Sequence, residues 1–285
     1  MQLHYFRGDT RSFGDDLNPW IWRQLLPRLE VPAAPLPATI DTPLFIGIGT
    51  VLGLSLPRAP QTHVFSSGWG YGPLPVTDST WTFHCVRGPL TADALGLPAK
   101  TAITDGALLL ARLVAHNPAA RLQPAFMPHH VTAHYWGADW QHACAEAGFV
   151  YLDPLADVDT VLNRLNQVDI VYAEAMHGAI VADSLGIPWV RTLTTRDTHE
   201  FKWRDWCASI GVSMEAHTLP TMGRWLRRRP SAQSRVIRWR GASALKHVAR
   251  RAHPRLSDEA TRAKLLDRLE ETLASFADEY LSAAS

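Results

Sequence analysis

The chain has 285 residues, 46% of them apolar, and a formal net charge of +1, so it can bury a substantial core as one large or two modest domains. Cys85, Cys144 and Cys207 are odd in number, widely spaced and without a C-x-x-C pair, which argues against a disulfide framework or a zinc site and fits a reducing cytosol. The longest apolar run, Leu44 to Leu56, is shorter than the roughly 20 residues that span a bilayer, and Met1 to Arg7 has neither the basic start nor the apolar core of a signal peptide.

Along the chain, short apolar strands alternate with helical patterns. Leu3 to Phe6 reads as a strand, and Gly14-Asp15-Asp16-Leu17 opens a helix through Trp20, Ile21, Leu25 and Leu26. After a Pro-rich connection over 31–43, three strands are expected: Leu44 to Gly49, His63 to Ser66, and Trp81 to Val86. Gly88-Pro89 then starts a helix that stops at Gly96. A second set follows, with a strand end at Ala125 to His130, a helix over Asp139–Ala147 and a strand over Phe149–Leu152. A helix over Val158–Val168, the strand Ile170 to Tyr172, a helix from Gly178 and a strand at Trp189-Val190 continue the pattern. This alternation predicts an α/β fold with parallel sheets, as two Rossmann-like domains facing a cleft. The expected division is 1–120, 121–215, and a basic segment with a C-terminal helix over 216–285, the first boundary lying near 115–124 where Asn117-Pro118 breaks a helical pattern.

Chemistry concentrates at strand ends. Glu174 to Gly178 lies between a strand's carboxyl end and a helix's amino end, where backbone N–H groups and the helix dipole favour an anion. His177-Gly178 puts an ionisable ring and a bare backbone there; the alternative is a buried His that caps the helix. Ser12 to Asn18 brings Gly14 for close approach and carboxylates at a helix start, with Asp15 either functional or an N-cap. Gly47-Ile48-Gly49-Thr50 lacks the third glycine of a dinucleotide fingerprint. Ser66 to Gly72, containing Gly68, Trp69 and Tyr71, reads as a flexible loop suited to a sugar face or a lid. Arg87, after a buried strand and before Pro89, has the geometry to clamp a carboxylate or phosphate with two prongs, or to pair with an acid such as Asp105. Glu200 to Trp206 interleaves Lys202, Arg204 and two acids with tryptophans, which suggests an organised, buried loop. His129 and His130 have no partner at metal-ligand spacing.

Charge is unevenly spread: residues 1–215 hold 14 Lys+Arg against 20 Asp+Glu, 216–257 hold 11 against none, and 258–285 hold 3 against 7. Arg224, Arg227, Arg228, Arg229 and later cations alternate with Trp225, Leu226, Val236, Ile237 and Trp239, a pattern that suits an anionic membrane surface or the diphosphate of a lipid-linked acceptor. The other possibility is that these cations cover the acidic remainder of the chain.

Taken in order, Phe13-Gly14-Asp15-Asp16-Leu17, Gly47 to Leu52, Val86-Arg87-Gly88-Pro89-Leu90-Thr91, Thr104 to Leu109, Met127-Pro128-His129-His130, Met176 to Asp183 and Phe201 to Trp206 resemble the polysaccharide pyruvyltransferase family, most of all its xanthan-type ketal pyruvyltransferases. No single motif is specific; their order across roughly 190 residues is. The resemblance implies two Rossmann-like domains as in GT-B glycosyltransferases, phosphoenolpyruvate as donor and a sugar of a surface or secreted glycan as acceptor. The family's donor-binding Arg and His fall on Arg87 and His177. Many relatives carry Ser-Leu-His-Gly or Arg-Leu-His-Gly where this chain has Ala175-Met176-His177-Gly178, so Lys202 is the expected replacement for a missing cation.

The implied scheme makes His177 the acid that protonates the donor's methylene carbon and Asp15 the base for an acceptor hydroxyl. Arg87, Lys202 and the amides around Gly178 would hold the carboxylate and phosphate, with Gly14, Gly49, Gly68, His129 and Arg204 completing the substrate-binding set. It needs no metal and no cofactor beyond the donor substrate. The expected partners are phosphoenolpyruvate, a lipid-linked oligosaccharide or polysaccharide acceptor and an anionic membrane surface, with the protein in the cytoplasm at the inner face of the cell membrane. The alternatives are a GT-B glycosyltransferase using a nucleotide sugar, and a nucleic-acid-binding protein using 216–257. No nucleic acid is expected, because that segment has no recognised binding motif and 243 other residues would go unexplained.

Overall fold

Strands covered on both faces need apolar side chains on both, and the strands inside the first sheet have them. In the computed structural model, which describes residues 1–115, 123–195, 200–222 and 231–280, β1 (Gln2–His4), β2 (Leu44–Ile46), β3 (Thr62–Ser67) and β4 (Trp81–Val86) form an all-parallel sheet in the order β1-β2-β3-β4. Helix α1 (Phe13–Leu25) follows β1, and α2 (Pro89–Ala94) and α3 (Leu110–Leu113) follow β4. Phe45, Phe65 and Cys85 face one side of the sheet, while Leu44, Ile46, Val64 and Val86 face the other.

The second sheet is also all parallel, in the order β6-β5-β7-β8-β9. Its elements run β5 (Gln123–Met127), α4 (His130–Ala147), β6 (Val150–Tyr151), α5 (Val158–Leu165), β7 (Val168–Ala173), α6 (Met176–Ser184), β8 (Trp189–Leu193), α7 (Glu200–Ser209) and β9 (Ala216–Thr218). Two long helices follow, α8 (Ser231–Arg251) and α9 (Glu259–Tyr280). Helix α8 packs with α4 over Phe126, Tyr172 and Val190. Helix α9 returns to the first sheet, where the Phe276 ring lies 5.2 Å from Phe45 and 4.9 Å from His84.

The α/β class with parallel sheets is therefore as expected, and most element positions agree within a few residues. Three differ. Helix α4 starts at His130 rather than Asp139; its first turns carry no apolar stripe, and the Nδ1 of His129 accepts from the Val131 N–H. Residues 200–209 form a helix rather than a loop. Asp205 breaks the apolar pattern there, yet it is as buried as Trp203 and Trp206 beside it. The polar strand β9 carries no apolar signal at all. The expected boundary near 115–124 falls mostly outside the described residues, as do Arg224 to Arg229.

The apolar cores of the two sheets are continuous, since one cluster joins Phe13, Phe45 and Phe65 to Met127, Val171 and Ile180. Polar links reinforce the junction. The Phe13 N–H donates to the Pro154 carbonyl at 2.8 Å, and the Trp20 indole donates to Asp159 at 2.9 Å. The strongest link is buried: Arg87 Nε, just past β4, lies 3.1 Å from Asp205 Oδ2 on α7, and neither side chain has any exposed surface. Asp205 also accepts from the Thr91 N–H at 2.9 Å and the Thr91 hydroxyl at 2.6 Å, so it caps the first turn of α2 from another element.

Removing one member of such a pair strands the other's charge, at about 3–5 kcal/mol, whereas replacing both by apolar groups is far milder. Arg87→Met and Asp205→Leu should each lower stability by about that amount, and the double variant by much less than the sum. Urea unfolding of the four proteins measures it; strict additivity would mean the pair does not couple the two halves.

Candidate active site

A cavity of about 400 Å³ opens where the carboxyl ends of the two sheets meet. Its wall comes from segments that follow strands: Phe6 and Ser12 to Asp15 after β1, Gly49 to Val51 after β2, Tyr71 after β3, His129 and His130 after β5, Pro154 after β6, Ala175 to His177 after β7, and Lys202 after β8. Open α/β sheets bind ligands at this edge.

Asp15 sits in the first turn of α1 and faces the cavity. Burial pushes its carboxyl up to about 6, and the neighbouring Asp16 adds to the rise, against a hydrogen bond from Ser12 and the charge of Lys202. The backbone carbonyl of Asp15 lacks its usual helical donor because Pro19, four residues on, has no N–H; the Asn18 amide reaches it at 3.4 Å instead.

His177 is the second residue of α6, with 13% of its side chain exposed. Burial lowers its proton affinity, helped by Lys202 and Arg87 and opposed by Asp105. Its Nε2 lies 3.8 Å from Oδ2 of the fully buried Asp105, within ion-pair reach but beyond a hydrogen bond, and neither atom has a hydrogen-bond partner among the described residues. The other Asp105 oxygen accepts from the Ala107 N–H at 3.0 Å, which fixes the carboxylate. On the opposite edge of the ring, a Cβ at Gly14 would fall 2.2 Å from His177 Nδ1. Glycine at that position is what lets the ring lie there.

Lys202 donates to the Tyr71 hydroxyl at 2.7 Å and lies 5.3 Å from the centre of that ring. His129 lines the cavity while its N–H donates to Glu174 at 2.9 Å. Glu174 also accepts from the Thr194 N–H at 2.9 Å, so one carboxylate ties together the ends of β5, β7 and β8. Gly49 lines the cavity with φ +111°, a conformation that favours glycine, and its carbonyl accepts from the Ser67 hydroxyl at 3.1 Å.

Of the expected site residues, the fold thus gathers His177, Asp15, Lys202, Gly14, Gly49 and His129 around one cavity. It places the other four elsewhere. Arg87 is enclosed behind the wall, where it holds Asp205, donates to the Thr50 hydroxyl at 2.6 Å and donates to the Trp69 carbonyl at 2.9 Å. It pairs with an acid as the second reading allowed, but the acid is Asp205 rather than Asp105. Gly68 packs on that guanidinium, its imagined Cβ only 2.3 Å from Arg87 Cζ. Gly178 packs on Met127, and its N–H already donates to the Ala175 carbonyl at 3.0 Å. Arg204 pairs with Glu200 on the surface with 62% of its side chain exposed, because residues two apart on a helix face different ways and Lys202 takes the cavity side. The 66–72 loop is anchored rather than loose: Trp69 packs edge-on to Phe201 at 4.8 Å and its N–H donates to Thr91 at 3.2 Å.

Sequence reasoning passed over Asp105 as a partner of His177, and it passed over Glu174 and Asp205. All three are acids in apolar surroundings, and the length of their links, 118 residues for Asp205 and Arg87, hides them from any spacing rule. Among the described residues, no cluster of three or more His, Cys, Asp or Glu could hold a metal ion, and no helix is long and apolar enough to cross a membrane.

No family model matches the chain. It is, however, 35% identical over 228 residues to the succinoglycan biosynthesis protein ExoV of Rhizobium meliloti (strain 1021), an alignment that covers 79% of this chain and 69% of that protein. With identity of that extent over that share of both chains, the chain belongs to the family of that exopolysaccharide biosynthesis protein, the polysaccharide pyruvyltransferases.

Proposed function

We propose that the protein is a ketal pyruvyltransferase of the xanthan type, moving pyruvate from phosphoenolpyruvate onto two hydroxyls of one sugar in a lipid-linked exopolysaccharide repeat unit and releasing phosphate. Its two sheets would act as the facing halves of a GT-B arrangement. The observation that carries the reading is the convergence of His177, Asp15 and Lys202 on one cavity in a member of this family.

The chemistry follows from the donor. A proton delivered to the methylene carbon makes the methyl group and leaves the adjacent carbon electrophilic. One sugar hydroxyl adds to that carbon and loses its proton to a base; phosphate then departs, and a second hydroxyl adds in its place and passes its own proton to the released phosphate. His177 delivers the first proton from Nδ1 while Asp105 faces Nε2 and holds the imidazolium in place. Burial alone would leave the imidazole neutral near pH 7; the donor's phosphate and carboxylate raise its proton affinity on arrival, so the acid forms when it is needed. Lys202, steadied by Tyr71, neutralises one of those anions. Asp15 takes the proton from an acceptor hydroxyl; a carboxyl pushed up to about 6 is a stronger base than an exposed one.

Phosphate release from phosphoenolpyruvate with lipid-linked oligosaccharide acceptors tests the reaction directly. Protection of the protein against heat by phosphoenolpyruvate, but not by nucleotide sugars, is the expected companion result; the reverse would make it a glycosyltransferase.

The pH profile carries the two roles. Asp15 must be ionised, so turnover should fall as pH drops through about 6, and Asp15→Asn should abolish that limb. His177 must be protonated, so turnover should also fall as pH rises. His177→Gln should collapse the single-turnover rate at saturating donor far more than it weakens donor binding. Asp105→Asn should lower kcat about 10–100-fold with donor affinity nearly kept and the alkaline limb displaced. A His177→Gln enzyme with near-normal turnover would reassign the ring to anion holding.

Gly14→Ala adds one methyl group beside His177 Nδ1. The ring must move, and a displacement of that kind costs on the order of 10²-fold in turnover. The unfolding midpoint should change little, since alanine favours the helix. Unimpaired turnover would show that the proton leaves by another edge.

A further inference from the structure

Helix α8 has 21 residues and no acid. Its buried side is small and apolar: Ala242, Leu245 and Val248 pack inward, and a Cβ at Gly241 would fall 3.1 Å from Ala143 of α4. The opposite side, among the described side chains, is largely exposed. At 100° per residue, Arg235, Lys246, Trp239, Arg250, Val236, Arg240 and Arg251 fall in that order on one continuous face of about 160°.

Two cations of this region are committed to the body of the protein, Arg238 to Asp139 at 3.0 Å and Arg255 to Glu215 at 2.9 Å. The five on the exposed face make no ion pair with any described residue. Among them stand Trp239 with 64% and Val236 with 57% of their surface exposed. A purely electrostatic partner, such as the backbone of a nucleic acid, gives no reason to leave an indole and a valine in water. The interface of an anionic bilayer does, because cations meet the headgroups while Trp and aliphatic side chains enter the boundary below them.

The neighbouring helix extends the surface. Arg238 meets Asp139 and Gly241 meets Ala143, so α8 and α4 run side by side in the same direction. Helix α4 exposes Tyr135 at 65% and Val131 at 47%, one and two turns before that contact, and begins at the cavity residues His129 and His130.

We infer that the exposed face of α8, with the outer side of the first turns of α4, docks the protein on an anionic phospholipid surface. The docked edge is continuous with the cavity mouth, so a substrate anchored in the same membrane reaches the cavity without leaving it. The docking itself does not depend on which reaction the cavity performs.

Co-sedimentation with vesicles of phosphatidylglycerol and phosphatidylcholine, and with phosphatidylcholine alone, tests it at low and high salt. The full chain should bind the anionic vesicles at low salt, release them at high salt and ignore the neutral ones. Each cation at an anionic leaflet is worth about fivefold in binding, so the triple variant R235Q/R240Q/R250Q should bind about 100-fold more weakly. Trp239→Ser should weaken binding further while leaving its salt dependence unchanged. All four side chains are exposed, so the unfolding midpoints should match the parent and separate lost docking from lost folding. Failure to bind anionic vesicles at low salt, or equal binding by the triple variant, overturns the proposal. So does binding to a DNA duplex as tight as to the vesicles and indifferent to Trp239, which would assign the face to nucleic acid.

Discussion

The buried pair of Arg87 and Asp205 is the constraint on which the site depends. Two charges removed from water are tolerable only when their other hydrogen-bonding positions are filled as well. Asp205 has Arg87 and both donors of Thr91, and Arg87 has Asp205, Thr50 and the Trp69 carbonyl. These partners belong to the ends of β2, β3 and β4 in the first half and to α7 in the second. Satisfying one ion pair therefore fixes four segments at once. Lys202 lies three residues before Asp205, on the same side of α7. With Asp205 drawn into the first half, Lys202 is set beside Tyr71 and over the cavity. The arginine's influence on the chemistry is thus geometric, with its charge adding to the field that lowers the proton affinity of His177.

How much of this the sequence discloses depends on the range of the interaction. Parallel strands, the Pro89 helix start and the His177 turn are local, and periodicity and chain punctuation reveal them. The cavity followed too, since residues at strand ends in an α/β fold must converge on one edge. Arg87 illustrates the limit. A cation after a buried strand looks the same whether it faces a ligand or an acid, and the acid stands 118 residues away. Helix α7 failed for a related reason: Asp205 counts as polar in any amphipathic pattern but behaves as a core residue once paired. Asp105 was visible as an acid, yet its facing of His177 arises only where the turn after β4 meets α6.

The glycines show how a correct chemical instinct lands on the wrong partner. Glycine at a strand end signals that something comes closer than a Cβ would permit, and a phosphate is the usual guess. At Gly14 the close object is the His177 imidazole, and at Gly68 it is the Arg87 guanidinium. In both places the room goes to one of the protein's own side chains. Crowding of this kind is also what moves the two ionisable groups. Enclosure by the loops of both sheets strips water from Asp15 and from His177 alike, which raises the first and lowers the second. The two proton affinities are thus driven toward each other. Both shifts originate in packing, without any dedicated switch.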